Sequence, residues 1–243
     1  MKRLCLDAGN TRLKWGLRMQ DGWLAQGALA HDAIASLGAM LPAAPDRILA
    51  CNVAGPTVAA RIEALAAAMS APLDWFGSSP AAAGVTNGYA TPTQLGADRW
   101  AALIGAHALH AGPALVVMAG TATTIDVLSA EGQFCGGLIL PGLDLMRTAL
   151  AHNTAGLPEA QGRYCKLPTN TDDAIVSGAL QATLGAIERM AVHACHSLDA
   201  AASADFCVIL SGGAADALTP QLSLPVRRVE HLVLEGLAAS AVW

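Results

Sequence analysis

The chain has 243 residues, of which 53% are hydrophobic, 14% charged and 4% aromatic, and its formal net charge is −5. A chain of this length and apolar content can bury a core as one large domain or as two of about half the length, which excludes disordered and fibrous classes. The chain has 14 basic and 19 acidic residues, and no run of lysine or arginine occurs. We therefore expect no extended nucleic-acid-binding surface.

No segment contains the roughly 18 unbroken, strongly apolar residues that a membrane-spanning helix needs. Near the N-terminus, Asp7 follows one short apolar run too soon for the core of a signal peptide. We therefore expect a cytoplasmic protein without membrane association. The six cysteines include no CxxC pair, and in a reducing compartment we interpret them as small apolar core residues.

Strands and helices alternate along the first half of the chain. The expected elements are a hairpin that turns at Gly9 and Asn10, a strand over 47–53, a helix from Pro56 to about Met69, a strand over 73–76 and a helix from Asp98 to about His110. Gly112 and Pro113 break this pattern and mark the expected boundary between two domains, residues 1–112 and 113–243.

The second half opens as the first does. It predicts an apolar strand over 114–118, a polar turn over 119–124 and a returning strand over 125–128, followed by a strand over 136–142, a helix over about 172–197 and a strand over 206–210. Gly9 and Gly120, the glycines of the two opening turns, lie 111 residues apart, which is close to half the chain. The sequence therefore predicts a mixed α/β fold made of two similar halves.

Several common signatures of nucleotide and hydrolase sites are absent. The chain has no Gly-Lys dipeptide, hence no P-loop, and it lacks the GxSxG, GxGxxG and HExxH patterns. Two polar glycine turns remain, Asp7 to Thr11 and Gly120 to Thr124, whose backbone N–H groups and side chains can donate hydrogen bonds. Two such turns facing each other could hold a polyphosphate, and Gly212 and Gly213 would let a flat ligand approach the backbone closely.

Two charged residues on the strands that flank the first turn could also take part in binding. Asp7, at the end of the first strand, could hold Mg²⁺ through water, because that ion often takes only one or two carboxylates and keeps much of its hydration shell. Lys14, on the polar face of the returning strand, could reach back to the phosphates. The alternative is a pair of ordinary hairpins on which Asp7 and Lys14 are solvated.

Taken in chain order, these motifs resemble those of type III pantothenate kinases. The motifs are Asp7 to Thr11 with Lys14, then Gly96-Ala97-Asp98-Arg99, Gly120 to Thr124, Gly136-Gly137 and Pro141-Gly142. The resemblance implies the duplicated actin-like ATPase fold, which is ribonuclease H-like and is shared with sugar and acetate kinases, with two similar domains around a central cleft. It further implies ATP-dependent phosphorylation of pantothenate to 4'-phosphopantothenate, the first step of coenzyme A biosynthesis.

The resemblance also assigns residues to the two substrates. The ATP-binding residues it implies are Asp7, Ala8, Gly9, Asn10, Thr11, Arg12, Leu13, Lys14 and Thr121. The pantothenate-binding residues it implies are Tyr89, Gly96, Ala97, Asp98, Arg99 and Thr171. Asp98 is the implied base that accepts the proton of the pantothenate hydroxyl, and Arg99 could pair with the pantothenate carboxylate or with the moving phosphoryl group.

Three of these residues have ordinary structural alternatives. Asp98 stands where a glycine-rich stretch becomes a helix, so it could be the N-cap, and a helix N-terminus favours its ionised form. Thr171 could likewise be the N-cap of the long helix. Tyr89 could be a loop residue that fills the surface.

One position departs from the family pattern. Many members have an aspartate that binds an activating K⁺ or NH₄⁺ two residues before the glycine of the second turn, whereas this chain has Met118. A thioether is a poor ligand for a hard monovalent cation, so we expect weak or absent dependence on K⁺. The family's pantothenate pocket lies at a dimer interface, which implies a homodimer.

Two other functions stay open at this point. One is a non-catalytic regulatory accessory factor with the same fold, and the other is a different actin-like kinase that acts on a small sugar or acid. The presence of Asp7, Asp98, Arg99 and Thr121 argues against the non-catalytic alternative.

Overall fold

A computed structural model describes residues 1–157, 159–198 and 205–240. The chain divides into two compact units. The first unit contains Met1–Ala111, Glu131–Phe134 and the described residues from His231 onward, and the second contains Gly112–Ala130 and the described part of Cys135–Glu230. These units differ from the expected ranges 1–112 and 113–243 in that two later segments belong to the first unit.

A five-stranded sheet forms the centre of the first unit. Its strands are β1 (Arg3–Ala8), β2 (Leu13–Met19), β3 (Gly22–Leu29), β4 (Arg47–Asn52) and β5 (Leu73–Trp75), in the order β3-β2-β1-β4-β5. The central strand β1 pairs antiparallel with β2 and parallel with β4. Every residue of β1 is buried, as expected for a strand between two others with both faces covered.

Helices cover the sheet of the first unit. They are α1 (Leu37–Met40), which follows a 3-10 turn at His31–Ser36, α2 (Pro56–Ala68) and α3 (Ala97–Leu109). Proline at the first position of α2 has the fixed φ that a helix start needs. Between β5 and α3 lie the short strands β6 (Ala81–Ala82) and β7 (Val85–Thr86) and a 3-10 turn at Pro92–Gln94. A continuous apolar core joins sheet and helices; its largest members include Leu6, Leu13, Trp15, Leu37, Ile48 and Ile62.

The second unit repeats this arrangement. Its strands are β8 (Ala114–Ala119), β9 (Ala122–Leu128), β10 (Phe134–Pro141), β11 (Cys207–Ser211) and β12 (Val226–Arg228), in the order β10-β9-β8-β11-β12. Its helices are α4 (Leu143–Asn153), α5 (Thr171–Ser197) and α6 (Ala215–Leu218), and a 3-10 turn at Thr219–Gln221 follows them. The buried face of α5 packs against β8 and β9 through Leu180, Leu184 and Ile187.

The last helix, α7 (Leu232–Ser240), belongs to the first unit. It crosses α3 at close range, and this approach requires glycine at the crossing point. A Cβ atom at Gly105 or Gly236 would collide with the backbone of the facing helix. Glu235 of α7 also accepts hydrogen bonds from Trp23 Nε1 (2.8 Å) and from Arg18 (3.2 Å) of the hairpin strands. The final segment is thereby fixed to the first sheet rather than to the second.

The duplication predicted from the two glycine turns is confirmed. Both sheets place their first strand at the centre, pair it antiparallel with the second strand and parallel with the fourth, and add the fifth strand in parallel. The predicted strands and helices all occur, with ends within about three residues of the expected ones. Among the elements that were not predicted are β3, α4, β12 and α7.

The interpretation of the cysteines was correct only in part. Cys5 and Cys51 are buried on neighbouring strands of the first sheet, as expected. Cys135 is exposed, and Cys165, Cys195 and Cys207 are half-buried, so a core role is wrong for Cys135 and incomplete for the other three. Among the helices in the described parts of the chain, none is both long and apolar enough to cross a membrane.

Candidate active site

The first glycine turn connects β1 to β2, and Asp7 lies directly before it, near the end of β1. In the sheet register Asp7 pairs with Lys14 on β2 and with Cys51 on β4. The carboxylate is only 5% exposed, and its Oδ1 accepts a hydrogen bond from the Cys51 thiol at 3.6 Å. Asp7 is therefore a buried group with defined neighbours, and the alternative of a solvated turn residue is wrong for it.

Burial dominates the electrostatics of Asp7. It raises the pKa of the carboxyl from an ordinary 3.8 to about 6, while the positive charge of Lys14 lowers this pKa and the charge of Asp98 raises it. Burial also raises the pKa of the Cys51 thiol well above its usual value, so the thiol keeps its proton and acts as a donor. Asp7 and Asp98 thus lie close enough for their charges to interact.

A magnesium ion held mainly by phosphates and water fits this arrangement. No cluster of three or more possible metal-ligating side chains occurs in the described parts of the chain. Mg²⁺ often takes only one or two carboxylates together with substrate phosphates, and a buried carboxylate is stabilised in its ionised form by a nearby cation. Asp7 is suited to this single-carboxylate role.

The remaining residues of the first turn divide by exposure. The side chains of Asn10, Thr11 and Arg12 are exposed, and Lys14 is half-buried. Ala8 and Leu13 are completely buried in the core of the first unit, so these two can reach a nucleotide only through their backbone. The carbonyl oxygen of Gly9 lies 2.9 Å from His31 Nε2, which anchors the turn from behind.

The second glycine turn, between β8 and β9, is supported by two further glycines. The N–H of Gly142 donates to the Thr121 carbonyl at 2.9 Å, and the N–H of Ala214 donates to the Ala119 carbonyl at 3.1 Å. A Cβ atom at Gly142 would collide with the turn backbone, and one at Gly212, where φ is +104°, would collide with Ala119. The Pro141-Gly142 and Gly212-Gly213 motifs therefore let neighbouring loops pack directly against the turn.

Met118 occupies the position in β8 that Asp7 occupies in β1. It is half-buried and pairs with Thr124 on β9 and with Ser211 on β11. The Ser211 hydroxyl donates to the Glu230 carbonyl at 3.2 Å, whereas the buried Thr124 hydroxyl has no hydrogen-bond partner within the described residues. A thioether between two hydroxyls does not fit a carboxylate-bound monovalent cation.

Asp98 lies in the first turn of α3. The N-cap of this helix is Gly96, and Oδ1 of Asp98 accepts the N–H of Arg99 at 2.8 Å. The alternative of Asp98 as an ordinary N-cap is therefore wrong. A Cβ atom at residue 96 would lie 2.7 Å from that Oδ1, so glycine leaves room for the carboxylate. Trp100, in the first turn of the helix, is fully buried.

Arg99 and Tyr89 contact each other directly. Arg99 is 5% exposed, and its NH1 donates to the Tyr89 hydroxyl at 2.8 Å. Phe134 lies beside both, with its ring centroid 5.8 Å from the Arg99 guanidinium carbon and 5.4 Å from the Tyr89 ring. Tyr89 is held in place by Asn87, whose Oδ1 accepts the Tyr89 N–H at 3.0 Å. Tyr89 is thus part of a packed cluster and does more than fill the surface.

Thr171 is the first residue of α5 and is exposed. The N-cap is Asn170, whose side chain accepts the N–H of Asp173 at 2.9 Å. The N-cap alternative for Thr171 is therefore wrong.

The structure brings together some of the predicted residues within each unit. In the first unit, Asp7 is paired with Lys14 and interacts electrostatically with Asp98, and Arg99 follows Asp98 and contacts Tyr89. Thr121 and Thr171 belong to the second unit. Cys51, Asn87 and Phe134 were not predicted as site residues. Asn87, two residues before Tyr89, could have been found from its place in the sequence, whereas Cys51 and Phe134 come from distant segments.

Comparison with known proteins agrees with these observations. The sequence profile of type III pantothenate kinase matches residues 3–193. The type III pantothenate kinase of Aromatoleum aromaticum is 52% identical over 240 residues, which cover 98% of this chain and 97% of that protein.

Solved structures share the fold at low sequence identity. A Campylobacter jejuni protein described as a Baf family transcriptional activator is 20% identical, with a TM-score of 0.63 over 97% of this chain and 95% of that one. MreB5 of Spiroplasma citri, solved with ADP, is 10% identical, with a TM-score of 0.51 over 98% and 95% of the two chains. The predicted actin-like fold is thereby confirmed.

Proposed function

Because the chain belongs to the type III pantothenate kinase family, we propose that it transfers the terminal phosphoryl group of ATP to the hydroxyl of pantothenate. The products are 4'-phosphopantothenate and ADP, and the reaction begins coenzyme A biosynthesis. The observation that supports this most is a carboxylate, Asp98, at the start of α3 directly before a buried arginine that is fixed by Tyr89.

Asp98 is proposed as the base. Its carboxylate lies in the first turn of α3 and is oriented by the Arg99 N–H at 2.8 Å. In a loose phosphoryl-transfer transition state such a group orients the attacking hydroxyl and takes its proton late. Positioning and charge neutralisation, rather than basicity, then supply most of the rate.

The glycine turns are proposed to bind the phosphates of ATP. In the first unit the donors are the backbone of the turn, the exposed side chains of Asn10, Thr11 and Arg12, and the ammonium of Lys14. In the second unit the turn at Thr121 has the same role. Asp7 would hold Mg²⁺ through water, and the ion neutralises the charge of the phosphates.

Pantothenate is proposed to bind along the start of α3. Gly96 and Ala97 supply backbone, and Arg99 supplies a positive charge for the carboxylate or the moving phosphoryl group. Tyr89 is a proposed contact of pantothenate that also accepts a hydrogen bond from Arg99. The exposed Thr171 is a second proposed contact. By analogy with the family we propose a homodimer in the cytoplasm, with weak or absent dependence on K⁺ because Met118 replaces a carboxylate.

The test is ADP release by the purified protein with pantothenate, sugars and acetate offered in turn. We expect turnover with pantothenate, and a decrease in kcat of about 10²- to 10⁴-fold for Asp98→Asn because the base is lost. Asp144→Asn is the matched control, since Asp144 is also the second residue of a helix with a glycine N-cap, and it should leave kcat unchanged.

The other outcomes correspond to the alternative functions. Turnover with a sugar or with acetate alone would identify a different actin-like kinase. Turnover with none of the acceptors would support the regulatory accessory factor and contradict the proposed function.

A further inference from the structure

The segment Glu131–Phe134 connects two strands of the second sheet but belongs to the first unit. It is attached to the loop that carries Tyr89: the N–H of Thr86 donates to the Gly132 carbonyl at 2.9 Å, and Thr86 forms a parallel bridge with Gln133. A Cβ atom at Gly88 would collide with the Phe134 carbonyl. The backbones of the two segments are therefore in direct contact beside Tyr89.

The Phe134 side chain completes a three-residue cluster, formed with Tyr89 and Arg99. The Phe134 ring is fully buried, and it is tilted by 32° against the Tyr89 ring. The Arg99 guanidinium carbon lies 5.6 Å from the Tyr89 ring centroid and 5.8 Å from the Phe134 ring centroid. Both distances are within the range of cation–π attraction.

These contacts help to restrict the rotamers of the long Arg99 side chain. A guanidinium held by two aromatic rings and one hydroxyl has already lost the conformational freedom that ligand binding would cost. Phe134 has no polar side-chain atom and no exposed surface, so it can influence a polar ligand only indirectly, and Arg99 and Tyr89 are the polar neighbours that its ring contacts.

We infer that Phe134 is a positioning residue for pantothenate: it fixes the Arg99 guanidinium and the Tyr89 ring in the orientation that binds this substrate. The inference rests on the proposed function, because it takes Arg99 and Tyr89 as contacts of pantothenate. Of the two roles proposed for Arg99, the inference takes the one in which the guanidinium pairs with the pantothenate carboxylate. Phe134 should then affect the binding of pantothenate and leave ATP binding and the chemical step unchanged.

The test compares wild type with Phe134→Leu and Phe134→Met, which remove the ring but keep an apolar side chain. We expect KM for pantothenate to rise about thirtyfold, because a desolvated cation–π contact is worth about that factor in affinity. The KM for ATP and kcat should stay within about twofold of wild type. Calorimetric titration with pantothenate should show the same relative increase in Kd. Phe134→Met has about the same volume as Phe134→Leu, but its flexible side chain adapts better to an irregular cavity, so it is the second variant if Phe134→Leu folds poorly.

Leu37→Ala is the control for a general loss of stability. Leu37 is fully buried in the core of the first unit and does not belong to the cluster. This substitution should lower the melting temperature without changing KM for pantothenate.

The outcomes separate the inference from the proposed function. Wild-type turnover of pantothenate together with an unchanged KM in both Phe134 variants would overturn the inference alone. An equal rise in both KM values would also overturn it, because the ring would then have only a structural role. Absence of wild-type turnover with pantothenate would contradict the proposed function itself.

Discussion

The two glycine turns have the same place in two sheets of the same topology, yet their strand-end residues differ. In the first sheet Asp7 is buried between Lys14 on one neighbouring strand and the donor thiol of Cys51 on the other. In the second sheet the equivalent residue is Met118, between Thr124 and Ser211.

The turns after β1 and β8 therefore share their place in the sheet, but only the first has a buried charge beside it. The first turn combines backbone donors with a buried carboxylate, whose pKa is raised to about 6 by burial. The second turn has Met118 in place of that carboxylate, and the loops that carry Gly142 and Gly212 pack directly against its backbone. We therefore expect the first turn to bind the metal ion of Mg·ATP and the second to bind phosphate oxygens only.

The largest expected effect comes from removing the charge of the first turn. Asp7→Asn should lower kcat by about 10²-fold or more, because a preorganised charge near the reacting phosphates is lost, and it should raise the Mg²⁺ concentration needed for half-maximal rate. Met118→Leu, the equivalent change in the second turn, should leave both quantities near wild type. A similar decrease in kcat in the two variants would contradict the assignment of the metal ion to the first turn.

A second effect concerns stability and depends on pH. Burial raises the pKa of Asp7 from an ordinary 3.8 to about 6 in the folded protein. Below its ordinary pKa the carboxyl is protonated in the folded and the unfolded state, so it does not affect stability. As pH rises from there toward 6, the unfolded state loses the proton more readily, and the free energy of unfolding decreases. Without Mg²⁺, Asp7→Asn should therefore raise the free energy of unfolding by on the order of 2 kcal/mol at about pH 7.5 and change it little near pH 4.

Urea denaturation at the two pH values measures this effect. Glu63→Gln, at an exposed position of α2, serves as the control and should change the free energy of unfolding by less than about 0.5 kcal/mol. A destabilised Asp7→Asn variant at the higher pH would show that Asp7 is fully compensated by Lys14 and Cys51.

The smallest effect is a gain of function at Met118. Met118→Asp would place a carboxylate beside the Thr124 hydroxyl, which has no partner within the described residues, and would supply an oxygen ligand of the kind that K⁺ prefers. We expect K⁺ to stimulate this variant about twofold to fivefold over Na⁺ and to leave wild type unchanged. A strict K⁺ requirement in wild type would contradict this interpretation.

Much of the fold could be predicted because apolar periodicity and glycine turns are local signals. β8 and β11 are nearly all apolar, β1 and β4 each contain an apolar run, and Pro56 marks a helix start. The strand β3 was missed because its exposed and half-buried residues give it no continuous apolar run, and α4 because it buries none of its residues. The return of α7 to the first unit depends on helix crossing at Gly105 and Gly236, which no local pattern shows.

The candidate site was predictable where residues stand together in sequence. Asp98 and Arg99 are adjacent, and Asp7 and Lys14 are joined by one turn. Cys51 and Phe134 were missed because each reaches the site from a distant segment, through strand pairing in one case and through a loop in the other. The N-cap alternatives failed because Gly96 and Asn170, each one or two residues earlier, hold those positions.

The most direct test of the proposed activity is to identify the product formed from pantothenate and ATP by mass spectrometry, with wild type and Asp98→Asn in parallel. With wild type we expect a phosphorylated pantothenate that accumulates in the same amount as ADP. With Asp98→Asn this product should be nearly absent. ADP release without a phosphorylated pantothenate, or equal product with both proteins, would contradict it.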